Sequence, residues 1–173
     1  PVGEYQDFEG RPATELLALI HSANPLERSM ALALINALCL SDLAHLPSDR
    51  GNTILFNGLG IGPSVKVAMV GYIKPLVALL ESKRAAVEVI DEFRSMGQKE
   101  AFYKKLGRWA DVAIITSTSL LNNSFEEIMA HVARDVRAAL VGPSTPMVAE
   151  AFCHWPMIKA LAGTVPLENE PIL

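Results

Sequence analysis

Four apolar runs in this chain each end in polar residues, and those ends are where chemistry could sit. VKVAMV (65–70) leads to Gly71 and Tyr72, and AAVEVI (85–90) to the acids Asp91 and Glu92. DVAIIT (111–116) ends in Thr116 and leads to Ser117, Thr118, Ser119 and the amides Asn122 and Asn123; RAALV (137–141) leads to Gly142, Pro143, Ser144 and Thr145. Hydroxyl, amide and carboxylate oxygens suit anions, polar organic groups and hard cations. Gly142 allows close backbone approach or a positive φ, while Pro143 and Pro146 stiffen the loop. Ser144 and Thr145 then present hydroxyls beside backbone N–H groups able to receive an anion. The competing reading is that Ser144 or Thr145 caps a following helix and Asn123 caps another. One cap needs one side chain, whereas 116–123 offers four consecutive hydroxyls and two amides. Thr116, Ser117, Thr118 and Asn122 are therefore assigned to a pocket lining.

Other chemistries fit less well. Asp91 follows Gly71 by about 20 residues, the spacing of a ribose-binding acid in a dinucleotide fold. However, VGYIKPL lacks G-x-G-x-x-G, and Pro75 stands where the pyrophosphate-binding helix would begin. His21, His45, His131 and His154 are scattered, and no pair falls at i, i+4. Cys153 and His154 are adjacent, so a helix would point them in different directions, a buried Cys beside a surface His. No G-x-S-x-G nucleophile elbow is present.

The elements that must position these residues read as follows. Residues 15–21 form a short helix. Asn24, Pro25 and Glu27 read as N-cap, N1 and N3 of a second helix with capping-box spacing. That helix, LERSMALALINALCL, is apolar on most sides and is expected to be buried against a neighbour, with Asn36 as a buried amide bonded to a carbonyl or serving a ligand. Residues 48–64, rich in Gly, Asn and Ser, read as a linker or irregular loop. It divides a helical segment (1–50) from a second domain (51–173). Beyond it, strands 65–70, 85–90, 111–116 and 137–141, with a fifth inside 158–165, alternate with helices at 74–82, 98–106 (stopped by Gly107) and from Asn123 to about 134. Apolar strands alternating with helices predict an α/β fold: an open, Rossmann-like, mostly parallel sheet with helices on both faces, preceded by a small helical segment. In such a sheet ligands bind beyond the carboxyl ends of the strands, where the polar clusters lie.

The totals bound the partners. The 173 residues are 50% hydrophobic and 20% charged with a formal net charge of −4, a balance that lacks the basic footprint of nucleic-acid binding. No apolar run of about 18 residues predicts a membrane span. Two cysteines make no disulfide framework, so a reducing cytoplasm is the expectation. The first residues carry no signal-peptide pattern, and a start on Pro1 rather than Met points to processing or a missing upstream segment. The apolar faces of the first fifty residues predict a second subunit and hence a homo-oligomer.

VAMVGYIKPLV, the acid after the second strand, DVAIITSTSLLNNSFEEIM, ALVGPSTPM and LAGTV occur in an order and spacing that resembles an uncharacterised family of heavy-metal-chelation proteins. Its Rossmann-like C-terminal domain carries a V-G-Y/F turn, a T-x-T-x-x-x-N segment, here TSTSLLN, and a G-P-S-T loop. GRPATELLALIHSANPLERSMALALINAL is similar to the end of that family's preceding enolase-N-terminal-like domain. The strands expected at the start of that domain are absent, which predicts a short or truncated member. The resemblance implies a cleft between the domains, lined by Gly71, Tyr72, Thr116, Asn122, Gly142, Pro143, Ser144 and Thr145, that binds a metal ion or a metal-bearing small molecule, with a link to corrinoid or other metallo-cofactor metabolism. It implies a metal ion as the associated cofactor. The first expectation is thus a metal or metal-bearing, anionic small-molecule ligand, its alternative an enzyme (a lyase or transferase) using the same cleft, and the third a nucleotide-dependent oxidoreductase.

Overall fold

Five strands, each five residues long, carry the architecture: β1 (Lys66–Val70), β2 (Ala86–Ile90), β3 (Val112–Thr116), β4 (Arg137–Val141) and β5 (Ile158–Ala162). They form one parallel sheet in the order β2-β1-β3-β4-β5. The computed structural model describes residues 8–43 and 45–165.

The runs carry few polar residues because both faces of the sheet are covered, and alternate side chains go to opposite layers. Val67 and Met69 of β1, Val112 and Ile114 of β3 and Ala139 of β4 cluster with Leu55 and Phe56 of α4 (Thr53–Gly58), with Leu59, and with Leu76 and Leu80 of α5 (Lys74–Ser82). Ala68, Ala113, Ile115, Ala138 and Leu140 cluster on the other side with Phe102 and Leu106 of α6 (Lys99–Arg108) and with Phe125, Ile128 and Met129 of α8 (Phe125–His131). A Rossmann-like α/β sheet with helices on both faces is what the chain forms.

Several local expectations are corrected. The stretch 48–64 is not an irregular linker, because it contains α4. Leu55, Phe56 and Leu59 are buried there, and each large apolar side chain so buried contributes about 1.5–3 kcal/mol. Gly107 does not stop α6 but lies inside it. The expected helix start at Asn123 moves by one residue: Asn123 takes φ 58° in the turn, and Ser124 is the residue before α8. Between them and β3 the chain makes an unforeseen short helix, α7 (Thr118–Leu121).

The helices ahead of the sheet are α1 (Ala13–Ala18), α2 (Pro25–Leu38) and α3 (Leu40–Leu43). Asn24 caps α2 as expected, its Oδ1 accepting from Leu26 N at 3.0 Å. The reciprocal half of the box is rerouted. Glu27 accepts from Ser22 Oγ, and it is Ser22 Oγ that accepts from Asn24 N, at 3.0 Å. Nor is α2 buried around most of its surface: only Arg28, Ala31 and Leu32 are buried, and Leu26 and Leu38 stay about 60% exposed. Polar contacts tie α2 to α7 and to the loop after β4, beside the buried Ala31 and Leu32. Arg28 donates from Nε to Leu121 O at 2.7 Å and from Nη2 to the same carbonyl, while Nη1 reaches Ser22 O. Asn36 Nδ2 donates to Ser144 O at 3.4 Å. No described helix is long and apolar enough to cross a membrane.

Candidate functional site

The strand order reverses between β1 and β3: the chain moves outward from β1 to β2, then back across to β3 and onward. In a sheet of this order the carboxyl ends of β1 and β3 leave a crevice that no crossover connection fills. A cavity of about 290 Å³ lies there. Six of the residues singled out in the sequence line it: Gly71 and Tyr72 from β1, Asp91 from β2, and Thr116, Thr118 and Asn122 from β3 and α7.

Local structure explains their placement. Gly71 has φ +85°, and a Cβ there would lie 2.6 Å from Thr116 Cγ2, so only glycine lets the two strand ends approach so closely. Thr116 Oγ1 donates to Thr118 Oγ1 at 3.2 Å, and Ser119 Oγ donates to Thr116 O at 2.7 Å. Asn122 Oδ1 accepts from Ser124 N at 3.1 Å and from Ser124 Oγ at 2.7 Å, which folds the turn into α8 and leaves its Nδ2 without a partner among the described residues. Asp91 is committed to the backbone. Its Oδ2 accepts from Tyr72 N at 2.9 Å, its Oδ1 from Arg94 N at 3.0 Å, and the Arg94 guanidinium stands 3.6 Å away. The turn it closes is completed by paired bonds between Asp91 and Met96 (3.0 and 2.9 Å). A carboxylate so engaged has little left for a ribose.

Glu92, named with Asp91 at the end of the second strand, also lines the cavity, and two aromatic lining residues escaped the sequence: Phe93 and Tyr103. Phe93 directly follows these acids and was legible as a strand-end residue. Tyr103 comes from α6, and nothing in its neighbourhood along the chain links a helix position to this edge. Its ring stacks on His131 at 4.3 Å, and Lys99 Nζ stands over it at 5.5 Å. Burial pushes the Tyr103 hydroxyl above its ordinary pKa, against the pull of Lys99. The hydrogen bond from Lys99 to Glu127, at 3.0 Å, raises the Lys99 ammonium in turn.

The other five residues do not join the cavity. Ser117 is buried behind it, and a Cβ on Gly142 (φ +147°) would meet Ser117 Oγ at 2.3 Å. Ser117 N donates to Val141 O at 2.9 Å, which holds the ends of β3 and β4 together. Ser144 gives its carbonyl to Asn36 of α2, Pro143 is exposed, and Thr145 is buried with Oγ1 unpartnered. Thr145 N donates to Gly142 O at 3.0 Å, so the loop closes on itself as a turn. The amide of Asn36 finds the expected carbonyl, although its own Oδ1 is buried without a partner.

Among the described residues no group of three or more His, Cys, Asp and Glu could hold an ion. Cys39 is half-buried in the α2–α3 turn, and Cys153 is exposed rather than buried. His21, His45, His131 and His154 are all exposed. The cavity offers hydroxyl, amide and carboxylate oxygens, a set that suits hard cations or a metal already held by an organic ligand and does not suit a bare soft metal.

Comparison with known proteins places the architecture. The chain superposes with a TM-score of 0.63 and 22% identity on a crystal structure of a protein of unknown function from Desulfitobacterium hafniense, covering 83% of this chain and 59% of that one. A Pyrococcus horikoshii protein, also of unknown function, gives 0.65 and 22%, covering 88% and 63%. The chain thus spans about three fifths of the length of these structures, and at this identity the likeness carries the fold alone. No curated protein matches the chain. A family profile described as "Putative heavy-metal chelation" matches residues 55–173, and a second profile of the same description matches 2–39. With more than half its length matched, the chain belongs to that heavy-metal-chelation family, from which both crystal structures also come.

Proposed function

We propose that the protein binds a small organic molecule, anionic or carrying its own metal, in the cavity between the ends of β1 and β3. The observation that carries this reading is the convergence of Gly71, Tyr72, Asp91, Thr116, Thr118 and Asn122, from three separate strand ends, on one space of about 290 Å³. The volume is at the small end of ligand pockets, enough for a compact molecule rather than a dinucleotide. The family description supports a metal as part of what is bound. The donor chemistry supports a metal that arrives inside an organic chelate, with Thr116, Thr118 and Asn122 hydrogen-bonding to the chelate's oxygens. Asp91, tied to Tyr72 N and Arg94 N, holds the shape of the cavity.

Calorimetric titration with ferric citrate, free citrate and free cadmium ion tests this. The reading expects heat from the organic ligands, weakened about tenfold in Thr118→Ala with the circular-dichroism spectrum unchanged, since a hydrogen bond to a charged group contributes about 1.5–3 kcal/mol. Tighter binding of free cadmium than of either citrate species would contradict it.

A further inference from the structure

Phe93 is the most exposed large apolar residue described, at 99%, and it belongs to the lining of the same cavity. A phenyl ring left wholly in water forgoes about 1.5–3 kcal/mol of burial. In a floppy loop that would need no explanation, but this ring sits on a pinned turn. Asp91 and Met96 exchange backbone hydrogen bonds at 3.0 and 2.9 Å, the Asp91 carboxylate receives Arg94 N at 3.0 Å, and Tyr72 N anchors the same carboxylate to β1 at 2.9 Å. The ring is therefore held out at the rim by a built scaffold.

Two further aromatic rings line the interior, Tyr72 and Tyr103, and each has a cation over it: Arg94 at 5.2 Å from the Tyr72 centroid and Lys99 at 5.5 Å from that of Tyr103. The two acids of the lining are also accompanied, Asp91 by Arg94 at 3.6 Å and Glu92 by Lys99 at 3.8 Å, so neither sign of charge dominates. Apart from the tyrosine hydroxyls, the remaining polar side chains, Thr116, Thr118, Ser119, Asn122 and Ser124, all come from the β3 side. Ser119 and Ser124 spend their hydroxyls on Thr116 O and Asn122 Oδ1, which leaves the hydroxyls of Thr116 and Thr118 and the Nδ2 of Asn122 to face a guest.

Three aromatic rings around one small space, with a hydrogen-bonding wall from a single side, match a particular shape of guest. We infer that the ligand presents a planar conjugated ring, its face covered by Phe93 and its oxygen-bearing edge turned to Thr116, Thr118 and Asn122. Phe93 is then the specificity residue of the site. This inference rests on the cavity's being the binding site, and goes beyond it by naming the chemical class of ligand.

The test compares 2-naphthol with decahydro-2-naphthol, which keeps the hydroxyl and the carbon count but loses the flat conjugated rings and is at least as hydrophobic. Binding is followed by NMR shifts of the tyrosine and phenylalanine rings in the intact protein. The inference expects 2-naphthol to bind more tightly than its saturated counterpart. It expects Phe93→Ala to cost about two- to tenfold for 2-naphthol, the worth of one aromatic stacking contact, and Phe93→Trp to restore it. Since Phe93 buries almost nothing, Phe93→Ala leaves the melting temperature in place. Equal affinity for the two alcohols, or indifference to Phe93→Ala while Thr118→Ala still weakens both, would overturn the planar-ring inference and leave the cavity as the site. Ring shifts that avoid Tyr72 and Tyr103 altogether would overturn both.

Discussion

Thr116 occupies the space that a side chain at Gly71 would need: a Cβ there would lie 2.6 Å from Thr116 Cγ2 and 2.8 Å from its Cβ. The left-handed φ of +85° adds to the conflict. Gly71→Ala is expected to lower stability by about 2–4 kcal/mol, combining overpacking with an unfavourable backbone region. The double variant Gly71→Ala with Thr116→Ser, which removes Cγ2, should recover part of that loss. Urea denaturation of the single and double variants measures the coupling, and strict additivity would mean the two residues do not compete for space.

Asp91 supports the end of the sheet through three groups, Tyr72 N, Arg94 N and the Arg94 guanidinium. Asp91→Ala leaves two backbone donors without their acceptor and is expected to cost about 2–4 kcal/mol, whereas Asp91→Asn retains one oxygen and costs less. Differential scanning calorimetry should rank them in that order. An Asp91→Ala protein as stable as the parent would show that the 91–96 turn stands without this carboxylate.

The pH dependence has two arms. Asp49 accepts from Leu55 N at 2.9 Å; partial burial pushes its carboxyl up, but the N–H groups of Leu55, Ile54 and Thr53 outweigh this and hold it below its ordinary pKa. That contribution is present above the unfolded value and is lost as pH falls below about 4. Lys99 is raised by its hydrogen bond to Glu127 and Tyr103 by burial, so both contributions are intact at neutral pH and are lost above about pH 10. The stability difference between the parent and Lys99→Met should therefore be constant from about pH 6 to 9 and shrink at higher pH. A difference that instead grew with alkali would reverse the assigned sign.

Hydrogen bonds fasten α2 to the edge of the sheet. Arg28→Ala strands Leu121 O and is expected to speed amide exchange in α2, with a loss of about 1–3 kcal/mol. Thr145→Val does the reverse experiment. Its hydroxyl is buried without a partner, so a methyl group in its place should leave stability unchanged or raise it by about 1 kcal/mol. A marked loss on Thr145→Val would mean that the hydroxyl has a partner in solution, such as a bound water.

The strands were legible because a parallel sheet covered on both faces demands continuous apolar runs: β4 lies at 137–141 as read, and the others shift at an end by a few residues. The ends of three strands gave six cavity residues because ligand geometry in such a sheet follows from topology. The remaining pieces depended on contacts distant in sequence. Composition marked 48–64 as a loop, yet Phe56 is buried in the core, a tertiary outcome that Gly and Asn content does not encode. The G-P-S-T loop looked like a ligand cradle, but the cover it receives from Asn36, 108 positions away, is visible only in the folded chain. Tyr103 was missed for the same reason.

Crystallographic soaking of the protein with a mixed library of planar and saturated small molecules tests the central claim most directly. The account predicts that density for the bound molecules appears between Tyr72, Phe93, Thr116 and Thr118, in the crevice at the ends of β1 and β3. Density gathered at the Gly142–Thr145 loop or along the outer faces of the helices, with the crevice left to solvent, would contradict it.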